Sequence, residues 1–295
     1  MGKGIDQETF EEADYARFQQ RLQQCLATLE RLLARPDFGV GPVTLGAELE
    51  LFLVDPAAFA RTYNAIQLAT APVLAVAGNS PTLLGHRLWE ETRIALCKQS
   101  IDDRDGRGLR RRLARVAFGT GWLRAGPLAL FAEAVRLHQP LLPVLSDQDP
   151  LEAGDDGEAP PLAELRLHQG TVWRWNRPVY DPASGGHLRI ELRALPAGPT
   201  VTDMLANAAF LVGLSRWLAE QDERWTWRLS FERAEDASTG PPSTAWRPSS
   251  PGPLGTTAGC GRSRPQHWFP SCCRPPGTGW WLAAWPPPRP TSCSG

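Results

Sequence analysis

A break in composition after Asp236 limits what this chain can fold into more than any other feature. None of the last 59 of the 295 residues is Asp, Glu, Lys, Val, Ile, Met, Tyr or Asn; Pro, Gly, Ser, Arg, Cys and Trp take their place. Runs such as Cys272-Cys-Arg-Pro-Pro-Gly277 and Trp285-Pro-Pro-Pro288 follow neither a helical nor a strand period, and proline removes the backbone donors that regular structure needs. No core can form there, so residues 1–236 must supply it. A proline-rich interaction tail or a cysteine-rich metal site are the functional alternatives, but Cys260, Cys272, Cys273 and Cys293 lack paired metal-ligand spacing. The mixture is what a GC-rich gene yields when read out of frame, and a disordered tail over 237–295 is the expectation.

Five of the 31 basic residues and none of the 32 acidic ones lie beyond Asp236, which leaves the body with 26 against 32 and a net acidic balance. That argues against a nucleic-acid partner, although residues 107–115 are locally basic; Leu109, Leu113 and Val116 keep a helical stripe through them, so a solvated helix face is expected. The longest apolar stretch, 204–218, is interrupted by Asn207 and Arg216, and no basic segment followed by an apolar run opens the chain. Neither a membrane span nor a signal peptide is expected. Cys25 and Cys97, the two thiols of the body, suit a reducing cytosol.

Within the body, residues 43–54 alternate as a strand does. Leu45, Ala47, Leu49, Leu51 and Leu53 face one way, with Gly46, Glu48, Glu50 and Phe52 on the other. Residues 188–195 repeat the pattern: Leu188, Ile190, Leu192 and Ala194 oppose Arg189, Glu191 and Arg193. Two such strands make best sense in one sheet whose aliphatic side is covered by helices. The other side then offers Glu48, Glu50 and Glu191 as carboxylates for magnesium, and Arg189 and Arg193 as guanidiniums for phosphate oxygens. Phosphoryl transfer from ATP needs that combination, because its catalysis is chiefly positioning and charge neutralisation. Salt-bridge ladders on a wet sheet face remain the other reading.

Helices are expected over 7–35, over 57–75 with Pro72 kinking or ending it early, over 82–100, over 127–142, and from Asp203 to Glu220 with Thr200 or Thr202 as cap. Glu90 and Arg93 then share a face of the third as a surface pair. Residues 167–180 read as extended, with Trp173 and Trp175 on one face and Arg174 and Asn176 on the other. The tryptophans are read as core, although aromatics flanking arginine also stack nucleobases. His168 alone points to no chemistry.

These blocks together resemble the bacterial glutamate–cysteine ligase family, relatives of glutamine synthetase. The resemblance rests on Leu45-Gly-Ala-Glu-Leu-Glu-Leu-Phe-Leu-Val-Asp55, Tyr63-Asn-Ala-Ile-Gln-Leu-Ala-Thr-Ala-Pro-Val-Leu-Ala-Val-Ala-Gly-Asn-Ser-Pro81, Leu88-Trp-Glu-Glu-Thr-Arg-Ile94, Thr171-Val-Trp-Arg-Trp-Asn-Arg-Pro178 and Leu188-Arg-Ile-Glu-Leu-Arg-Ala-Leu-Pro-Ala-Gly-Pro-Thr200. It implies an α+β fold, a curved antiparallel sheet backed by helices, with ATP and magnesium on the concave side. It also implies small-molecule chemistry: the γ-carboxylate of glutamate is phosphorylated and the cysteine amine displaces phosphate. By the same likeness Glu48, Glu50 and Glu191 match metal ligands, Arg189 and Arg174 cofactor contacts, and Arg193 and Arg93 catalytic or substrate contacts. One departure stands out. Where the family carries a long stretch after its first strand, this chain runs from Val54-Asp55 almost directly into Phe59-Ala-Arg-Thr-Tyr-Asn64, so the ligase-like domain of 1–236 is incomplete. A non-catalytic remnant or nucleotide-binding protein of the same family is therefore the alternative.

Overall fold

In chain order the elements are α1 (Glu12–Leu33), β1 (Glu50–Leu53), α2 (Pro56–Ala77), β2 (Thr82–Leu83), β3 (His86–Arg87), α3 (Thr92–Ser100), β4 (Val116–Ala117), α4 (Leu128–Leu137), α5 (Ala163–Gly170), β5 (Trp173–Arg174), β6 (Asn176–Asp181), β7 (His187–Leu192), α6 (Val201–Glu220), α7 (Trp225–Arg228) and α8 (Phe231–Thr239). They come from a computed structural model that describes residues 7, 9–40, 50–53, 56–102, 104, 112–151, 158–221 and 225–239, without the side chains of 50–53, 56, 57 and 239. The chain divides into two units, Met1–Ala245 and Trp246–Gly295, and every described residue belongs to the first. Glu48 and the tail from 240 lie outside the described residues. The fold is mixed helix and strand, with antiparallel pairing in its three-stranded sheet.

That sheet has the order β1-β7-β6, with both neighbours antiparallel to β7. The alternation of 188–195 is realised as expected: Leu188, Ile190, Leu192 and Ala194 are buried, whereas Arg189, Glu191 and Arg193 are only half-buried. β6 alternates in the same way, with Asn176, Pro178 and Tyr180 inward and Arg177, Val179 and Asp181 outward. Pro178 is tolerated because β6 is an edge strand, where a missing N–H need not break a ladder. Onto the inner face pack Phe18, Leu22 and Leu29 of α1, Phe59, Tyr63 and Ile66 of α2, Phe131 of α4 and Leu165 of α5. Full burial of each such side chain is worth about 1.5–3 kcal/mol, so this cluster is the main source of stability. A second cluster joins Leu74, Ile94, Phe118, Trp122, Trp175 and Phe231, which bears out the core reading of Trp175.

Several expectations need correction. α2 runs through Pro72 to Ala77; Ala69 and Val73 beside it are buried, and packing along α6 and α8 outweighs the hydrogen bond that proline removes. The single helix expected over 82–100 is a hairpin followed by the short α3. Leu84 (φ 51°) and Gly85 (φ 82°) form a two-residue turn with both φ positive, which no helix accommodates. Residues 167–170 belong to α5 rather than to an extended segment, burying His168 and Gln169. Residues 112–115 are not helical, and Arg115 is buried, donating to the carbonyls of Thr171 (3.3 Å) and Gln139 (2.6 Å). Its guanidinium serves the fold instead of a solvated face. α4 also stops at Leu137, short of the expected 142.

Candidate functional site

Register brings the charged residues of the sheet together. Glu50 of β1 pairs with Glu191 of β7, and Glu191 pairs on its other side with Arg177 of β6. The register thus sets Glu50, Glu191 and Arg177 level across three adjacent strands, and Glu191 and Arg177, as direct partners, share a face. One row along, Phe52, Arg189 and Val179 are aligned. Arg193, just past β7, closes the patch.

Glu191 is the hub of this face. Arg177 Nε donates to its Oε2 at 2.7 Å, with the Arg177 Nη2 bonding the same oxygen, and Arg193 Nε donates to Oε1 at 2.6 Å. Burial pushes the Glu191 carboxyl up, but the hydrogen bond and charge of Arg193 and the charge of Arg177 outweigh it and hold the group below its ordinary range. Arg189 pairs with Asp181 at 3.3 Å. The terminal nitrogens of Arg193 donate to no described residue.

Arg93 reaches this corner from α3. It pairs with Glu91 (3.1 Å), donates to the carbonyls of Ala194 (2.7 Å) and Arg193 (3.5 Å), and lies 5.7 Å from the centroid of the Trp175 ring. It thus braces the chain as it leaves β7. The expected Glu90–Arg93 pair does not form: Glu90 pairs with Arg87 at 2.7 Å, because the hairpin turns it away from α3. Glu91 in turn accepts from the backbone N–H of Asn79 at 3.2 Å and ties the 78–93 segment to the site.

Arg174 lies elsewhere. It is 4% exposed and donates to Glu133 of α4 at 2.5 Å, beside Tyr63. Around it Asn176 donates to Gln67 (2.5 Å), and Gln67 donates to the carbonyl of Phe118 (2.7 Å). This buried polar layer joins α2, α4 and the strands from the side opposite Arg189 and Arg193. Alternation places it there, since Arg174 and Asn176 share the inward face with Tyr180.

Of the three carboxylates expected to hold magnesium, only Glu191 has a described side chain. Both oxygens of Glu191 already accept from guanidiniums, and among the described residues no cluster of three or more His, Cys, Asp or Glu side chains is placed to hold a metal. What the arrangement offers is a patch of four arginines around three carboxylates, suited to an anion that can exchange for one of the carboxylates. Arg177, Asp181 and Glu91 belong to it and were missed by sequence reasoning. The period-two pattern of 176–181 could have found the first two; nothing local to 88–94 distinguishes Glu91 from Glu90. A cleft of about 280 Å³, bordered by Trp89, Lys98, Gln99 and Arg104, lies along α3 and includes none of the sheet-face arginines. Cys25 is fully buried beside Glu164, and burial pushes its thiol up to about 12, so it is chemically inert. No helix among the described residues is long and apolar enough to cross a membrane.

Compared with family models, with curated proteins and with solved structures, the chain matches none.

Proposed function

We propose that the outer face of the β1-β7-β6 sheet is the nucleotide-directed face of an ATP-dependent carboxylate–amine ligase of the glutamate–cysteine type, on a glutamine synthetase-like sheet that is incomplete in this chain. In such a reaction a γ-carboxylate oxygen of glutamate attacks the terminal phosphorus of ATP and ADP leaves. The cysteine amine then attacks the acyl phosphate carbon, expelling phosphate and losing a proton. What supports this reading is the cross-strand row Glu50, Glu191 and Arg177 flanked by Arg189 and Arg193. Arg189 and Arg193 are the candidates for phosphate oxygens, and Arg93 holds the Arg193 backbone in place. Magnesium would accompany ATP, but no step is assigned to it, because Glu191 would first have to release two arginines.

That same saturation favours a second reading, a nucleotide-binding protein without turnover. Incubation with glutamate, cysteine, ATP and magnesium separates the two. ADP release that disappears in Glu191→Gln supports the ligase, whereas a melting temperature raised by ATP with no ADP formed supports binding alone. If ATP has no effect on either readout, both fail.

A further inference from the structure

α6 packs on α2 with one side, and among the described residues nothing packs over a row of apolar side chains on the opposite side. Leu211 and Ser215 are buried, while Val201 and Leu205 are each 67% exposed and Trp217 is 41% exposed. Val201, Leu205, Ala209, Gly213 and Trp217 recur every four residues, which aligns them as one ridge along a helix roughly 30 Å long. The order of sizes along this ridge is self-complementary. Set antiparallel about a two-fold axis at Ala209, one ridge meets its copy with Leu205 against Gly213 and Val201 against Trp217, so that each bulky side chain meets a different residue and the smallest ones lie near the crossing.

Gly213 adds an independent observation. A glycine in a helix interior costs about 1 kcal/mol relative to alanine. A Cβ placed at Gly213 would meet nothing within 4 Å, so the packing of the chain itself does not require glycine there. Glycine there leaves a notch on the exposed side of the helix. Charge agrees with the same register: exposed Arg216 falls level with Thr202 of the copy, one residue from Asp203, and antiparallel helix dipoles attract.

We infer that the outer face of α6 is a homodimer interface, closed by a two-fold axis near Ala209. The apolar ridge and its flanking Phe210 offer on the order of 500 Å² per copy, at the lower limit for a specific interface. A dimer dissociating at roughly micromolar concentration is the expectation.

Sedimentation velocity on the full chain from about 1 to 100 µM tests this. Wild type should pass from monomer to dimer and stop there. Gly213→Leu should weaken the dimer about tenfold or more by setting leucine against leucine, while helix content and melting temperature stay the same or rise. Leu205→Ala with Gly213→Leu should restore the dimer by exchanging bump and notch. Arg216→Glu should weaken it more at low salt than at high salt. A monomer at every concentration, open-ended aggregation, or identical behaviour of Gly213→Leu and the double variant would overturn the proposal.

Discussion

Replacing Glu191 by glutamine keeps the shape of the side chain and removes its charge. Two guanidiniums then lose a carboxylate that each contacts at hydrogen-bond distance, 2.7 Å for Arg177 and 2.6 Å for Arg193. The side chains of Arg177 and Arg193 are 24% and 26% exposed, against 13% for Glu191. The loss should therefore fall between that of a surface pair, up to about 1 kcal/mol, and that of a fully buried one, about 3–5 kcal/mol. We expect about 1–3 kcal/mol at pH 7, a drop of roughly 3–10 °C in melting temperature for a body of this size. The pH dependence identifies the cause. The folded pKa of Glu191 is depressed below its ordinary 4.5, so the pair contributes fully above that value and the contribution fades as pH falls through the folded pKa. Urea denaturation at pH 7 and at pH 3 measures both. Equal stability of the two proteins at pH 7, or a difference that persists undiminished at acid pH, would refute the role given to this carboxylate.

Other perturbations probe the scaffold. Glu133→Gln should cost about 3 kcal/mol by leaving the 4%-exposed Arg174 without its anion, read as a lower denaturation midpoint. Gly186→Ala should cost about 1–3 kcal/mol, because φ is +90° and the added Cβ would lie 2.8 Å from Ala159 and 2.9 Å from the Phe38 ring; unchanged stability would contradict the turn geometry. His168 is buried, with its Nε2 on the Ala134 carbonyl at 3.0 Å, and burial lowers its pKa below 6.5. The unfolded chain therefore takes up the proton first, and stability present above pH 6.5 is lost as pH falls toward the folded pKa. Replacing His168 by Gln should flatten the pH 5–7 part of the stability profile.

What could be read from the sequence is what local periodicity determines. The alternation of 188–195 needs only its own residues to define two faces, and β7 realises it. Thr200 caps α6, with its side chain accepting from the Asp203 N–H at 3.2 Å, because that motif is complete within four residues. Tertiary context decided the rest. Pro72 reads as a helix breaker until α6 and α8 lie along α2. Leu84 gives no turn signal, since leucine seldom takes a positive φ. On α6 packing buries Leu211 and leaves Leu205 outside, a choice between two leucines that the residues themselves do not make. In the charged site, Arg189, Glu191 and Arg193 were legible together, but Arg177 became their neighbour only through the register of β6. Arg174 follows the inward alternation of its own strand, which an adjacent tryptophan disguised as a ligand-facing pair.

Binding of a nucleotide by the arginine face is what the proposed function requires first. Melting of wild type and of an Arg189→Met/Arg193→Met variant, each with and without millimolar ATP, addresses this directly. ATP at about 100 times its dissociation constant should stabilise wild type by roughly 2.7 kcal/mol and leave the variant where it was. An equal shift in both proteins, or none in wild type, would contradict it.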